Sequence, residues 1–148
     1  MSLPSHDRIP TKVSIVLRDD TLNPDFWSDY FGIQADFSAR KGEITRTPKG
    51  NLRVAPHLWG VWNYQCKSTS LASIDEGVLI LIKALKFPRA DFRQVLAAHG
   101  CEAILGIFVD NSDGRNPPLY GKVTQDFIDH TGADLSLTVV DPYSDDPK

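Results

Sequence analysis

Leu58-Trp59-Gly60-Val61-Trp62-Asn63-Tyr64 holds two of the chain's three tryptophans and follows a turn-rich tract. Alternate side chains of a strand face opposite ways, so Trp59 and Val61 share one face while Leu58, Trp62 and Tyr64 share the other. Both faces are bulky. A sheet covered on one side only normally sets apolar against polar positions, so the second face calls for a cover of its own: a helix, another subunit or a ligand.

Upstream, Lys12-Val13-Ser14-Ile15-Val16-Leu17 has the β-branched content of a strand, which Asp19 and Asp20 end. Asn23-Pro24 opens a helix that Gly32 closes, with Phe26, Trp27, Tyr30 and Phe31 at helical spacing as its core stripe. An extended piece from Gln34 to Ala39 gives way to a loop containing Arg40-Lys41-Gly42-Glu43 and Thr47-Pro48-Lys49-Gly50-Asn51.

Downstream, Ser73-Ile74-Asp75-Glu76 reads as a capping box, with Ser73 as N-cap. Ile74, Val78, Leu81, Ile82 and Leu85 give the following helix one apolar stripe, and Leu79 and Ile80 widen it until little of the helix faces water. Pro88 stops it, and a shorter helix from about Ala90 to His99 ends at Gly100. Ala103-Ile104-Leu105-Gly106-Ile107-Phe108-Val109 is nearly all apolar, as expected of a strand covered on both faces. A helix over about Lys122 to Thr131, with Val123, Phe127 and Ile128 inward, stops at Gly132. The closing strand from Asp134 to Val139 alternates, so one of its faces is wet.

Val13 to Phe37 and Ala103 to Leu137 share one pattern of strand, turn with Asn and Pro, helix, glycine and strand. The predicted order βαββααβαβ contains a split βαβ unit, so the expected architecture is α+β: a ferredoxin-like, mostly antiparallel sheet with helices on one face. The expected organisation is a flexible N-terminus over 1–11, one domain over 12–143 and an acidic tail over 144–148.

At 148 residues, 41% hydrophobic and 24% charged, the chain suits one self-sufficient core. A net charge of −3 offers no general attraction to nucleic acid or anionic membrane. The first residues lack a signal-peptide core and the longest apolar run, Val78 to Ile82, is far shorter than a membrane span, so the expectation is a cytoplasmic protein with no membrane partner. Cys66 and Cys101 lie far apart with no metal-ligand spacing, and neither a metal nor a cofactor is expected.

No Gly-x-Ser-x-Gly elbow or phosphate loop occurs. Asp110-Asn111-Ser112-Asp113-Gly114 fails the EF-hand spacing, since glycine falls fifth and Gly121 twelfth. His99 and His130 each precede a helix-ending glycine, where a histidine favours the helix dipole; His57 has no such explanation. His57 to Tyr64 partly follows the RNP1 pattern of RRM domains, but histidine and leucine replace its leading cation and glycine, and the first strand lacks a second stacking aromatic. Nucleic acid is therefore not the expected partner.

Gly32-Ile33-Gln34-Ala35, Arg40-Lys41-Gly42-Glu43, the Trp59/Trp62 strand, the Leu71-to-Leu85 helix and the closing Gly132-Ala133-Asp134-Leu135 together resemble the bacterial family known as domain of unknown function 4279, from about Lys12 to Tyr143. The resemblance implies a small bacterial cytoplasmic domain and brings no catalytic residue, cofactor or substrate.

The helices need a sheet face and take the one bearing Leu58, Trp62 and Tyr64, which leaves Trp59 and Val61 outside. Arg40, Lys41, Arg46, Lys49 and Arg53 form the densest cationic cluster. The expected function is a non-enzymatic binding domain, of immunity type in its narrower form. Arg40, Lys41, Arg53, His57, Trp59 and Val61 would line its surface, for a protein partner or a second copy of the chain. The alternative is an enzyme or sensor acting on a small anionic ligand, with Arg40 and Lys41 binding charge and His57 as acid/base.

Overall fold

Asn23 accepts a hydrogen bond from the Asp25 backbone N–H, and Pro24 opens helix α1 (Pro24–Phe31), which ends on Gly32 at φ 71°. That start and stop are the ones its residues dictate. The computed structural model describes residues 9–44, 57–67, 70–71, 73–112 and 120–140; Arg46, Lys49, Arg53, Gly114 and the acidic tail lie outside the described residues. Preceding α1 is β1 (Ile9–Asp19), three residues longer at its start than the β-branched run from Lys12. There follow β2 (Phe37–Ala39), β3 (Gly60–Gln65), the two-residue β4 (Ser70–Leu71), α2 (Ile74–Leu85), α3 (Phe92–Ala98), β5 (Glu102–Asp110), α4 (Lys122–Thr131) and β6 (Asp134–Val140). β4 has no sequence signal of its own; it pairs with Ile9 and Pro10 at the start of β1.

The five main strands lie in the order β2-β3-β1-β5-β6. β3 runs antiparallel to both β1 and β2, β5 runs antiparallel to β1, and β6 runs parallel to β5. The architecture is thus α+β with a mostly antiparallel open sheet. The two similar strand-helix-strand segments close differently: β3 lies between β1 and β2, whereas β5 and β6 are direct neighbours. Their helices nevertheless stop alike, since Gly32 and Gly132 both sit at φ 71° and donate 2.8 Å bonds to Ser28 and Ile128.

One face of the sheet carries Val13, Ile15, Leu17, Trp62, Tyr64, Ala103, Leu105, Ile107 and Val109, all buried in a single core with Trp27, Phe31, Val78, Leu81, Leu85, Phe92 and Phe127 from the helices. Gly77 lets α2 lie close on β1, because a Cβ there would come within 2.7 Å of Val13. Three expectations need correction. β5 is not covered on both faces, since Phe108 is 38% exposed and Ile104 and Gly106 are only half-buried; among the described residues its outward positions meet no helix. Leu79 is 43% exposed, so α2 keeps a solvent-facing side. Leu58 precedes β3 and is 73% exposed, so strand alternation does not reach it.

α2 ends one turn before the proline because Lys86 adopts a left-handed conformation, φ 62° and ψ 42°, and its N–H bonds to Ile82. A residue with a Cβ is strained there. Lys86→Gly is expected to stabilise the fold by about 0.5–1 kcal/mol, read as a higher urea midpoint at unchanged slope; a lowered midpoint would contradict this account.

Candidate functional site

On the uncovered face the register sets Arg18 of β1 opposite both Val61 of β3 and Glu102 of β5. Trp59 lies just before β3 and is 42% exposed, and the Arg18 guanidinium sits over its ring at 4.8 Å. The same guanidinium donates a 3.0 Å bond to Glu102. The position of Trp59 depends on Gly60, whose missing Cβ allows Leu22 to approach; a Cβ there would lie 2.8 Å from that of Leu22. Arg18, Asp19, Asp20, Trp59, Gly100 and Glu102 line a shallow recess of about 220 Å³.

The Arg40-Lys41-Gly42-Glu43 turn is closed on itself: Glu43 accepts from the Arg40 N–H at 2.8 Å and its own N–H reaches the Arg40 carbonyl. Backbone bonds from Gly42 to His57 and from His57 to Glu43 bring His57 beside this turn, where its ring lies 5.4 Å from Phe37. Arg40 and Lys41 meet acidic or polar partners. Lys41 lies 3.5 Å from Asp20, and Arg40 donates to Asn23 at 3.0 Å with Asp25 at 3.8 Å. Exposed pairs of this kind contribute little stability, but they offset local positive charge. Asp20 connects the two parts of the site, lining the Trp59 recess while pairing with Lys41.

The structure therefore gathers Arg40, Lys41 and His57 at one turn, and Trp59 and half-buried Val61 at the adjoining outer face. Sequence reasoning missed Arg18, Phe37 and Phe108. Phe37 and Phe108 are exposed by 37% and 38%, and pairing places both on the face that the helices leave open. Strand parity from Leu17 turns Arg18 outward, yet its position beside Trp59 follows only from the β1–β3 register. Asn63, between Phe37 and Val16 in that register, has a buried Oδ1 without a hydrogen-bond partner among the described residues.

His99 and His130 serve packing. The His99 ring lies 4.2 Å from that of Phe26, and His130 Nε2 accepts from the Arg89 backbone N–H at 2.9 Å. Burial, with Asp19 nearby, pushes the Cys101 thiol up to about 12, which keeps it protonated and a poor nucleophile. Among the described residues no group of three His, Cys, Asp or Glu could hold a metal ion, and no helix is long and apolar enough to cross a membrane.

No curated protein and no solved structure matches the chain. The model of one family, domain of unknown function (DUF4279), matches residues 9–142, and the chain belongs to that family.

Proposed function

We propose that the protein is a binding domain that engages a partner protein through the uncovered face of its sheet, anchored on Trp59 and Arg18. The observation that carries this reading is the half-exposed indole of Trp59 beneath the Arg18 guanidinium, on a face that no helix among the described residues covers. Tryptophan and arginine are the side chains that most often dominate protein interfaces, since each brings large, rigid contact area with a polar handle. The partnered state of Arg40 and Lys41 favours a protein surface over a small anion, because both cations already face carboxylates. The frame for this surface is, on the same reading, ferredoxin-like. Its support is that β1 and β2 run parallel with β3 between them, while β3 and β5 run parallel with β1 between them, as in two interleaved split βαβ units.

A photo-crosslinking residue in place of Trp59 is expected to give one discrete protein adduct in cells, and the same residue at exposed Gln125 of α4 none. Trp59→Ala is expected to weaken partner binding by about 10-fold or more while leaving folding stability within about 1 kcal/mol of wild type. Absence of an adduct at position 59 above the Gln125 control would refute the reading.

A further inference from the structure

Among the described residues, β6 forms the edge of the sheet furthest from β2. Its seven residues, Asp134-Leu135-Ser136-Leu137-Thr138-Val139-Val140, carry no proline and no charge after Asp134. Exposed edges in monomeric proteins are usually protected by lysine, proline, a bulge or shortness. The opposite edge, β2, is only three residues long. β6 has none of these protections over six residues. Its register with β5 sets Leu135, Leu137 and Val139 in line with buried Leu105, Ile107 and Val109, on the side of the sheet that bears the core. There Leu135 is 36% and Leu137 46% exposed, because α4, which joins β5 to β6, packs mainly on α2 and α3.

We propose that β6 pairs antiparallel with β6 of a second copy of the chain, forming a two-fold symmetric dimer with one continuous sheet. This goes beyond the reading of the Trp59 face and does not depend on it. The strand is complementary to itself. An antiparallel register that pairs all seven residues sets Leu137 opposite its own copy, Leu135 opposite Val139, Ser136 opposite Thr138, and Asp134 opposite Val140. Every opposed pair is then apolar with apolar or hydroxyl with hydroxyl, except for Asp134 at each end. Pairs of this sort are the units that stabilise sheets. The two Asp134 carboxylates fall roughly 20 Å apart, at about 3.4 Å per residue, beyond the screening length of physiological salt. A parallel pairing in register would instead set Asp134 beside Asp134. Two-fold symmetry also closes the assembly, so the edge is used up and does not propagate into fibres.

Light scattering of the full chain across a dilution series tests this. The expected mass at high concentration is twice the 16.5 kDa of one chain. Leu137→Lys sets two ammonium groups against each other at the axis and is expected to weaken self-association about a hundredfold or more, with the far-ultraviolet circular dichroism unchanged because the side chain is exposed. Leu137→Cys is expected to oxidise to a disulfide-linked dimer, whereas Leu79→Cys, at a comparably exposed position on α2, is not. Buried Cys66 and the raised Cys101 thiol keep the background low. A monomeric mass at every concentration, a Leu137→Lys variant that remains dimeric, or equal cross-linking at positions 79 and 137 would each overturn the proposal.

Discussion

Trp62→Ala is expected to cost about 3–5 kcal/mol of folding stability, the range for deleting a large aromatic from a packed core. For a domain whose total stability is of order 5–15 kcal/mol, the variant sits at the margin of folding. Trp62 is fully buried, its ring centroid lies 5.0 Å from that of Phe31, and Leu17 of β1 stands directly opposite it. It is also tied to α1, because its Nε1–H donates to Ser28 Oγ at 3.0 Å. Two contributions can be separated by measurement. Trp62→Phe keeps most of the ring packing and loses the hydrogen bond, with an expected cost of about 1–2 kcal/mol. Ser28→Ala leaves the indole N–H without its acceptor and is expected to cost about 1–3 kcal/mol. In a double-mutant cycle the Trp62→Phe and Ser28→Ala effects should be markedly less than additive, since both remove the same bond. Urea unfolding at constant slope gives all these values. Full additivity would show that the bond contributes nothing, and a Trp62→Ala cost below about 1.5 kcal/mol would mean that the site collapses around the cavity.

The same residue shows what a sequence can reveal. Face alternation separates Trp62 and Tyr64 from Trp59 and Val61 without any structure, and the structure places the first pair inside and Trp59 outside. Helix ends are similarly local: Asn23-Pro24, Gly32, Ser73 and Gly132 act through their own φ, ψ and nearest backbone groups, so their signals survive folding. Coverage is not local. Ala103 to Val109 reads as a strand buried on both sides, yet whether anything covers Ile104 and Phe108 depends on where four helices settle. Leu79 has the same ambiguity, since its exposure follows from which side of α2 packs on β1 and α4. Of the candidate surface, Trp59, Val61 and the Arg40-Lys41 turn were legible as an aromatic strand beside a cationic loop. Arg18 was not, because its contact with Trp59 arises from pairing between strands more than 40 residues apart in the chain.

Asp75 is the least local case and supports the second large effect. It stands in the first turn of α2, where it reads as part of that helix's own cap, but its carboxylate serves another helix. The N-cap position of α4 is Gly121, which has no side chain to cap the helix. Asp75 accepts from the Gly121, Val123 and Thr124 backbone N–H groups at 2.9, 3.3 and 3.2 Å and from the Thr124 hydroxyl at 2.6 Å. Thr124 is fully buried, so its N–H and hydroxyl have no ready substitute in water, whereas the Gly121 N–H is exposed. Asp75→Ala is therefore expected to cost about 2–4 kcal/mol, combining a lost N-cap with unsatisfied buried donors. Asp75→Asn, which keeps an acceptor and loses the charge, should cost about half as much. The pH dependence fixes the role of the charge. Burial alone would raise the carboxyl pKa, but the bonds from Thr124, Gly121 and Val123 outweigh it and leave the group below its usual value. A carboxylate whose folded pKa is depressed contributes its stability fully above the unfolded value, near about 4, and loses it as pH falls through the folded pKa. The stability gap between wild type and Asp75→Asn should accordingly be constant from neutral pH to about pH 5 and shrink below about pH 4. A gap that does not shrink in acid would assign the effect to side-chain shape and leave no role for the charge at the start of α4.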